Sequence, residues 1–194
     1  MTSHPTRAGH ADGVGWSLQA QLLRAELRGD EREWRRLLDL NRQAGGEFGV
    51  MPAAFVLLLH RWFAGIKDRR DVTRCVARYN SAAPPEHRVP TREAEAVLRA
   101  NLGEPHLADL VDEETTLLIM YSLLFWLVHE LRLSEEQMDD LVVAADELAE
   151  RAERVSGIGH ESTLDLKRIL EADAIRWRPP AGAKTDLTAD EMLG

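Results

Sequence analysis

The chain has 194 residues, of which 44% are hydrophobic and 29% are charged, and its formal net charge at pH 7 is −9. This length and apolar content suffice for one compact domain with a core and argue against two domains. The single cysteine excludes an intrachain disulfide framework, and the acidic balance argues against nucleic acid as a partner, because phosphate contacts need a cationic surface.

The first residues, Met-Thr-Ser-His-Pro-Thr-Arg, include no apolar stretch of the kind that a signal peptide needs. The sequence therefore predicts a cytoplasmic protein. Arg outnumbers Lys by 21 to 3, a bias that GC-rich codons tend to produce, and this favours a bacterial source.

Charge is unevenly distributed along the chain. Residues 1–100 carry 16 Lys and Arg against 12 Asp and Glu, whereas residues 101–194 carry 8 against 21. Between Asp109 and Glu150, twelve carboxylates face one cation, Arg132. This asymmetry indicates that the two halves attract each other, within one chain or between subunits.

Two helices are predicted near the N-terminus. Residues 1–14 contain Gly, Thr, His and Pro without periodicity, so we expect a flexible tail there. A first helix follows from about Trp16 and ends at Gly29, because Gly adopts the left-handed conformation at a helix end without strain. Asp30 then caps a second helix, and Glu33 is placed to reach back in a capping box.

The next two helices differ in their patterns. Pro52 suits the first turn of a third helix, whose apolar run at 53–59 predicts a strongly buried segment. A fourth helix of about residues 68–79 has apolar residues at i, i+3, i+4 and i+7. These residues are Val72, Cys75, Val76 and Tyr79. On this face, Cys75 is predicted to be a buried structural thiol rather than a nucleophile.

The most apolar stretch of the chain follows the Pro-rich connector 81–90 and a fifth helix that begins near Thr91. It lies in a helix of about residues 113–132, in which positions 117–128 carry no charge, Gly or Pro. Its rise of roughly 18 Å is shorter than the roughly 30 Å hydrocarbon core, so we expect no membrane span. Because apolar residues face every side, we predict neighbours all around it.

Two helices are predicted after this stretch. Ser134 and Gln137 match a capping box at the start of a long acidic helix with one apolar stripe. A last helix is predicted from about Thr163 to just before Pro179.

No segment alternates apolar and polar residues as a half-buried strand does. The sequence therefore predicts an all-α fold, a single globular bundle of seven or eight helices around the central apolar helix of about 113–132. This helical domain spans residues 15–178, between the N-terminal tail and a second flexible tail at 179–194.

A stripe of cations on the fourth helix is the most suggestive polar feature. Lys67, Arg70, Arg74 and Arg78, which we call the basic stripe, fall within roughly 80° of one another around the helix, opposite its apolar face. The stripe could dock an acidic protein or bind phosphates through bidentate Arg contacts. The alternative is an ordinary solvated surface.

The acidic counterpart lies on the long acidic helix, where Glu136, Asp139 and Asp140 are the candidate partner-binding residues. Carboxylates at this density could also bind Mg²⁺. A metal site would need two pairs that face each other, but the Glu136 and Asp139 pair and the pair in Glu147–Glu150 share one helix. We therefore expect no metal and no cofactor.

No catalytic site is predicted. Ser122 and His129 suggest a nucleophile and a base, but seven residues of one helix separate their backbones by roughly 10 Å, well beyond the roughly 3 Å that proton transfer needs. A pocket between the two most apolar helices would have an aromatic lining with histidines as polar groups. Its candidate residues are Phe55, His60, Trp62, Tyr121, Trp126 and His129.

The sequence identifies no substrate and no reaction. The leading interpretation is a non-catalytic cytoplasmic adaptor or regulatory subunit that uses charge-separated helical surfaces to self-associate or to bind another protein. The alternative is a small-molecule-binding protein or an enzyme with a pocket between the apolar helices. A weaker alternative is a nucleic-acid accessory protein that uses the basic stripe.

Overall fold

The computed structural model of the chain describes residues 15–44, 49–64 and 69–156, and its regular structure there is entirely helical. The predicted all-α fold is confirmed for these residues, which form a globular arrangement of α-helices and short 3-10 helices. The α-helices are α1 (Leu18–Leu27), α2 (Glu31–Gln43), α3 (Val50–Trp62), α4 (Arg69–Ala82), α5 (Thr91–Asn101), α6 (Glu113–Glu130) and α7 (Glu135–Ser156). The 3-10 helices are Pro85–His87 and Pro105–Leu110.

Several sequence predictions lie outside the described residues. They are the tails at 1–14 and 179–194, the last helix from about Thr163, and Lys67 of the basic stripe. Among the described helices, none has the length and the apolar content that crossing a membrane requires.

Local capping signals start the helices where the sequence predicts. The Asp30 carboxylate accepts the Glu33 amide at 3.0 Å at the start of α2. At the start of α7, Ser134 and Gln137 exchange hydrogen bonds of 3.0 and 3.3 Å, which is a complete capping box. The box predicted for α2 is only half formed, because the Glu33 carboxylate binds the guanidinium of Arg36 at 2.6 and 2.8 Å instead of reaching back.

α3 carries the most completely buried stretch. Every residue from Ala53 to Leu59 is at most 5% exposed, and the helix packs against α1, α6 and α7. α6 packs against α3 and α5, yet its residues Leu117, Leu118 and Tyr121 are 40%, 56% and 42% exposed. Among the described residues, one face of the N-terminal half of α6 is therefore open, and the central position predicted for this helix stays a prediction.

A tight turn pairs α1 with α2. Gly29 lies at φ +67°, a left-handed conformation that glycine adopts without strain, and α2 packs along α1 after it. Leu22, Ala25 and Leu37 form a small buried cluster between these two helices, separate from the main core around α3. The open face of α6 is bordered by this helix pair.

Polar contacts join α1 to α7 along their length. Ser17, which caps α1, bonds Asp146 through its amide at 3.0 Å and its hydroxyl at 2.5 Å. Arg24 binds both carboxylate oxygens of Asp139 at 2.8 and 3.0 Å, and Arg28 contacts the same carboxylate at 3.1 Å. Because the residue numbers run in opposite directions, the two helices are antiparallel.

Candidate functional site

An apolar groove of about 450 Å³ opens between α1, α2 and α6. Its most buried side chains are Leu22 and Leu23 of α1, which are 5% and 4% exposed, and we call its exposed α6 side chains, Leu117, Leu118 and Tyr121, the rim. We call this site the groove. It is lined by Gln19, Leu22, Leu23, Glu26, Trp34, Leu38, Arg42, Met51, Leu117, Leu118 and Tyr121.

The sequence of α6 explains why the groove is apolar. The helix carries apolar residues on all sides, so the face that α3 and α5 do not cover is apolar as well. Leu117, Leu118 and Tyr121 occupy that face at i, i+1 and i+4. The apolar side chains of the α1–α2 pair complete the lining, so the groove is formed by helices that pack only partly against one another.

One carboxyl group lies among these apolar side chains. Glu26 of α1 accepts a hydrogen bond from the Tyr121 hydroxyl of α6, and the indole of Trp34 on α2 also donates to it. These three residues, which we call the Glu26 cluster, connect the three helices that border the groove. They also line a shallower depression of about 240 Å³ that extends toward Gly29.

Burial shifts the titration of the Glu26 cluster. Desolvation raises the pKa of Glu26 above its ordinary value, and the hydrogen bonds from Tyr121 and Trp34 oppose this shift without cancelling it. Burial is also the main reason that the pKa of Tyr121 is raised, and the neighbouring Glu26 carboxylate adds to the effect. A carboxyl with a perturbed pKa in a cleft is a common mark of a functional site.

The other polar groups of the groove are largely engaged or solvated. The Gln19 side-chain oxygen accepts the Val50 amide at 3.3 Å. The Arg42 side chain is 70% exposed and lies 4.0 Å from the Asp39 carboxylate. Glu26 is therefore the charged group of the groove that is partly withdrawn from water.

The structure does not gather the six predicted pocket residues in one place. Tyr121 lines the groove, but Phe55 is fully buried in α3. The rings of Trp62 and Trp126 pack 5.5 Å apart beside Tyr79, where Trp126 belongs to the main core and Trp62 packs against it, and neither lines the groove.

The two predicted pocket histidines lie near the C-terminal ends of their helices. His60 is in the last turn of α3, with its Nε2 atom buried, and His129 is in the last turn of α6 and exposed. Neither lines the groove.

Intrachain ion pairs occupy part of the basic stripe. Arg74 contacts Asp71 at 3.1 Å, and Arg78 binds Glu130 while its guanidinium lies 6.0 Å from the centre of the Trp62 ring. Arg70 is exposed.

The predicted acidic residues are also divided between two environments. Asp139 contacts Arg24 and Arg28 of α1, whereas Glu136 and Asp140 are exposed on the surface of α7. Of these three residues, Glu136 and Asp140 are the ones most accessible to a partner.

Cys75 is buried on α4, as the sequence predicts. Desolvation raises the pKa of its thiol to about 12, so the thiolate is scarce at neutral pH. Within the described residues, no group of three His, Cys, Asp or Glu side chains is placed to hold a metal ion.

The groove residues Glu26, Trp34 and Leu38 were not anticipated from the sequence. The available signal was Glu26 itself, a carboxyl that follows Leu22 and Leu23 by one helical turn and directly precedes Leu27, because a charged residue on a packing face needs an explanation. Comparisons with protein-family models, curated proteins and solved structures found no match to the chain.

Proposed function

We propose that this chain is a non-catalytic binding protein and that the groove receives a small, mainly apolar molecule. The supporting observation is an open groove of about 450 Å³ with an apolar lining and one partly buried carboxyl. Ligand sites in proteins have volumes of roughly 300–1,000 Å³ and combine apolar walls with a few polar groups. The proposal keeps the small-molecule alternative and moves its site from the Trp62–Trp126 region to the other side of α6.

The chemistry of the Glu26 cluster supports binding rather than turnover. Its carboxyl is engaged by two neutral donors, Tyr121 and Trp34, and these are groups that position a ligand. A nucleophile paired with a base would support catalysis. Cys75, the one thiol of the chain, is buried on α4.

A neutral fluorescent probe of small-molecule size, N-phenyl-naphthylamine, tests the proposal. We expect saturable binding to the full-length protein with one site per chain. Leu118→Glu, which places a charge on the rim of the groove, should weaken the affinity by about tenfold or more, because an apolar ligand cannot satisfy a carboxylate that it desolvates.

Leu40→Glu is the matched control. Leu40 is also an exposed leucine, at 40%, but it does not line the groove. Its variant should bind the probe as the unmodified protein does. Equal loss in the two variants, or no saturable binding to the unmodified protein, would contradict the proposed site.

Protein docking through the charged surfaces is a second proposal. It is supported by the exposed carboxylates Glu136 and Asp140 on α7 and by Arg74, whose side chain is 73% exposed. Association through such groups should weaken as salt is added, since exposed charges are screened over about 10 Å at 0.1 M ionic strength. Sedimentation at low and high salt checks this for self-association, and a species of constant mass under both conditions would speak against it.

A further inference from the structure

We propose that the ligand of the groove is an amphiphilic cation, whose apolar body lies on the leucines and whose ammonium group pairs with Glu26. This inference rests on the proposed function and adds the chemical class of the ligand. It follows from what surrounds Glu26, from the length of the groove and from the placement of its charges.

The surroundings of Glu26 leave its negative charge without full compensation. Its described hydrogen-bond donors, Tyr121 and Trp34, are both neutral, and the side chain lies next to Leu22 and Leu23 in the groove lining. A carboxylate has about four acceptor sites, so it can accept a further donor beside these two. A cation that enters the groove would supply both the missing charge and a further hydrogen bond.

Two aromatic side chains strengthen the case for a cation. Trp34 of α2 and Tyr121 of α6 both line the groove, and both contact Glu26 through their hydrogen bonds. The faces of indole and phenol rings attract ammonium groups, and this attraction grows as the site is withdrawn from water. A carboxylate that shares the groove with two aromatic side chains is therefore a setting suited to an ammonium group.

The groove also limits the size of the apolar body. The lining of the groove and of the adjoining depression runs from Gln19 of α1 to Gly29 just past its end, and the helical part of this stretch, from Gln19 to Leu27, is about 12 Å long. An extended alkyl chain of about ten carbons has a similar length. Exposed apolar side chains at the rim, Leu117 and Leu118, are available to cover it.

Charge placement argues against an anionic ligand. An anion would meet the partly buried carboxylate of Glu26, whereas the groove's arginine, Arg42, is 70% exposed and already lies 4.0 Å from Asp39. A neutral ligand would leave the charge of the carboxylate as uncompensated as it is in the empty groove. Among ligands of the same shape, a cation therefore gains the most binding free energy.

Three probes that share one tail separate these possibilities: decylammonium, n-decanol and decanoate, each below its micelle concentration. Their affinities for the full-length protein are measured by isothermal titration calorimetry near pH 7. We expect decylammonium to bind at least tenfold more tightly than n-decanol, and decanoate to bind most weakly. Glu26→Gln, which keeps an acceptor for Tyr121, should bring the ratio of the decylammonium affinity to the n-decanol affinity close to one.

The control for general attraction to an acidic protein is Glu147→Gln. Glu147 is exposed on α7, and its variant changes the net charge by the same amount outside the groove. The preference for decylammonium should survive in it. If the preference for decylammonium over n-decanol falls as far in Glu147→Gln as in Glu26→Gln, the cation is attracted by the net charge of the protein, and the inference is overturned.

The remaining outcomes distinguish the inference from the proposed function. Equal affinity for decylammonium and n-decanol, both lost in Leu118→Glu, would overturn the cationic ligand and leave the apolar groove standing. No binding of any probe to the full-length protein would overturn both. Binding that appears only after Ile169→Glu, a change in the predicted last helix, would mean that the chain's own C-terminal segment occupies the groove, and this too would overturn the inference.

Discussion

At the scale of single residues, Glu26 is the group whose position needs a reason other than packing. An apolar side chain there would complete the cluster of Leu22, Ala25 and Leu37 without the cost of withdrawing a carboxylate from water. Functional sites commonly keep such costs, because removing them raises stability and lowers activity. Whether Glu26 raises or lowers the free energy of unfolding therefore tests whether this residue serves function rather than stability.

The raised pKa of Glu26 predicts how stability depends on pH. The folded state binds the proton more tightly than the unfolded state, so Glu26 favours the fold fully below its unfolded pKa of about 4.3 and loses this contribution as pH rises through the folded pKa. Glu26→Gln should therefore be more stable than the unmodified protein near pH 7. The difference should vanish at about pH 4 and below.

Urea unfolding of the two proteins across this pH range measures the difference. Glu147→Gln is the control, since Glu147 is exposed and its substitution should give no comparable pH-dependent gain. If Glu26→Gln were the less stable protein near pH 7, the hydrogen bonds from Tyr121 and Trp34 would outweigh desolvation, and Glu26 would be a structural residue.

At the scale of helices, the sequence predicts correctly the features that depend on residues close together in the chain. The cap of α2 at Asp30 and the capping box at Ser134 depend on groups three positions apart, and both form as expected. The buried segment of α3 follows from its continuous apolar run, and the apolar face around Cys75 follows from helical periodicity. These features are local, so the fold class was accessible from the sequence.

The site was less accessible, and α6 explains why. Its apolar residues surround the helix, so periodicity cannot tell which face the other helices leave open. Trp62 and Trp126 are as apolar as the groove residues, but they pack on each other at the main core. Of the predicted pocket residues, only Tyr121 lies on the open face, because that face depends on how the α1–α2 pair packs beside α6.

At the scale of the whole molecule, the opposite charges of the two halves meet within the chain. Arg24 and Arg28 of α1 contact Asp139 of α7, Arg28 lies 3.6 Å from Glu135, and Arg78 of α4 contacts Glu130 at the end of α6. One of the two outcomes that the charge asymmetry predicted, attraction within the chain, is present among the described residues. These contacts help to hold α1, and with it one side of the groove, against α7.

Asp139 is the centre of this attraction and gives the last prediction. Its bidentate contact with Arg24 joins side chains that are each about a quarter exposed. Because such a contact is stronger than a fully exposed ion pair, Asp139→Asn should lower the free energy of unfolding by about 1–2 kcal/mol. Asp140→Asn, at an exposed site on the same helix, should change it by less than about 0.5 kcal/mol.

The unfolding curves of the two variants are measured in urea at low and high salt. Salt should reduce the effect of Asp139→Asn only in part, since the Arg24 and Asp139 side chains are each about a quarter exposed. Loss of the α1–α7 contact should also loosen the groove, so Asp139→Asn should bind N-phenyl-naphthylamine more weakly than Asp140→Asn does. Equal stability and equal probe affinity in the two variants would mean that the charge asymmetry does not hold the helices together, and that it is available for a partner instead.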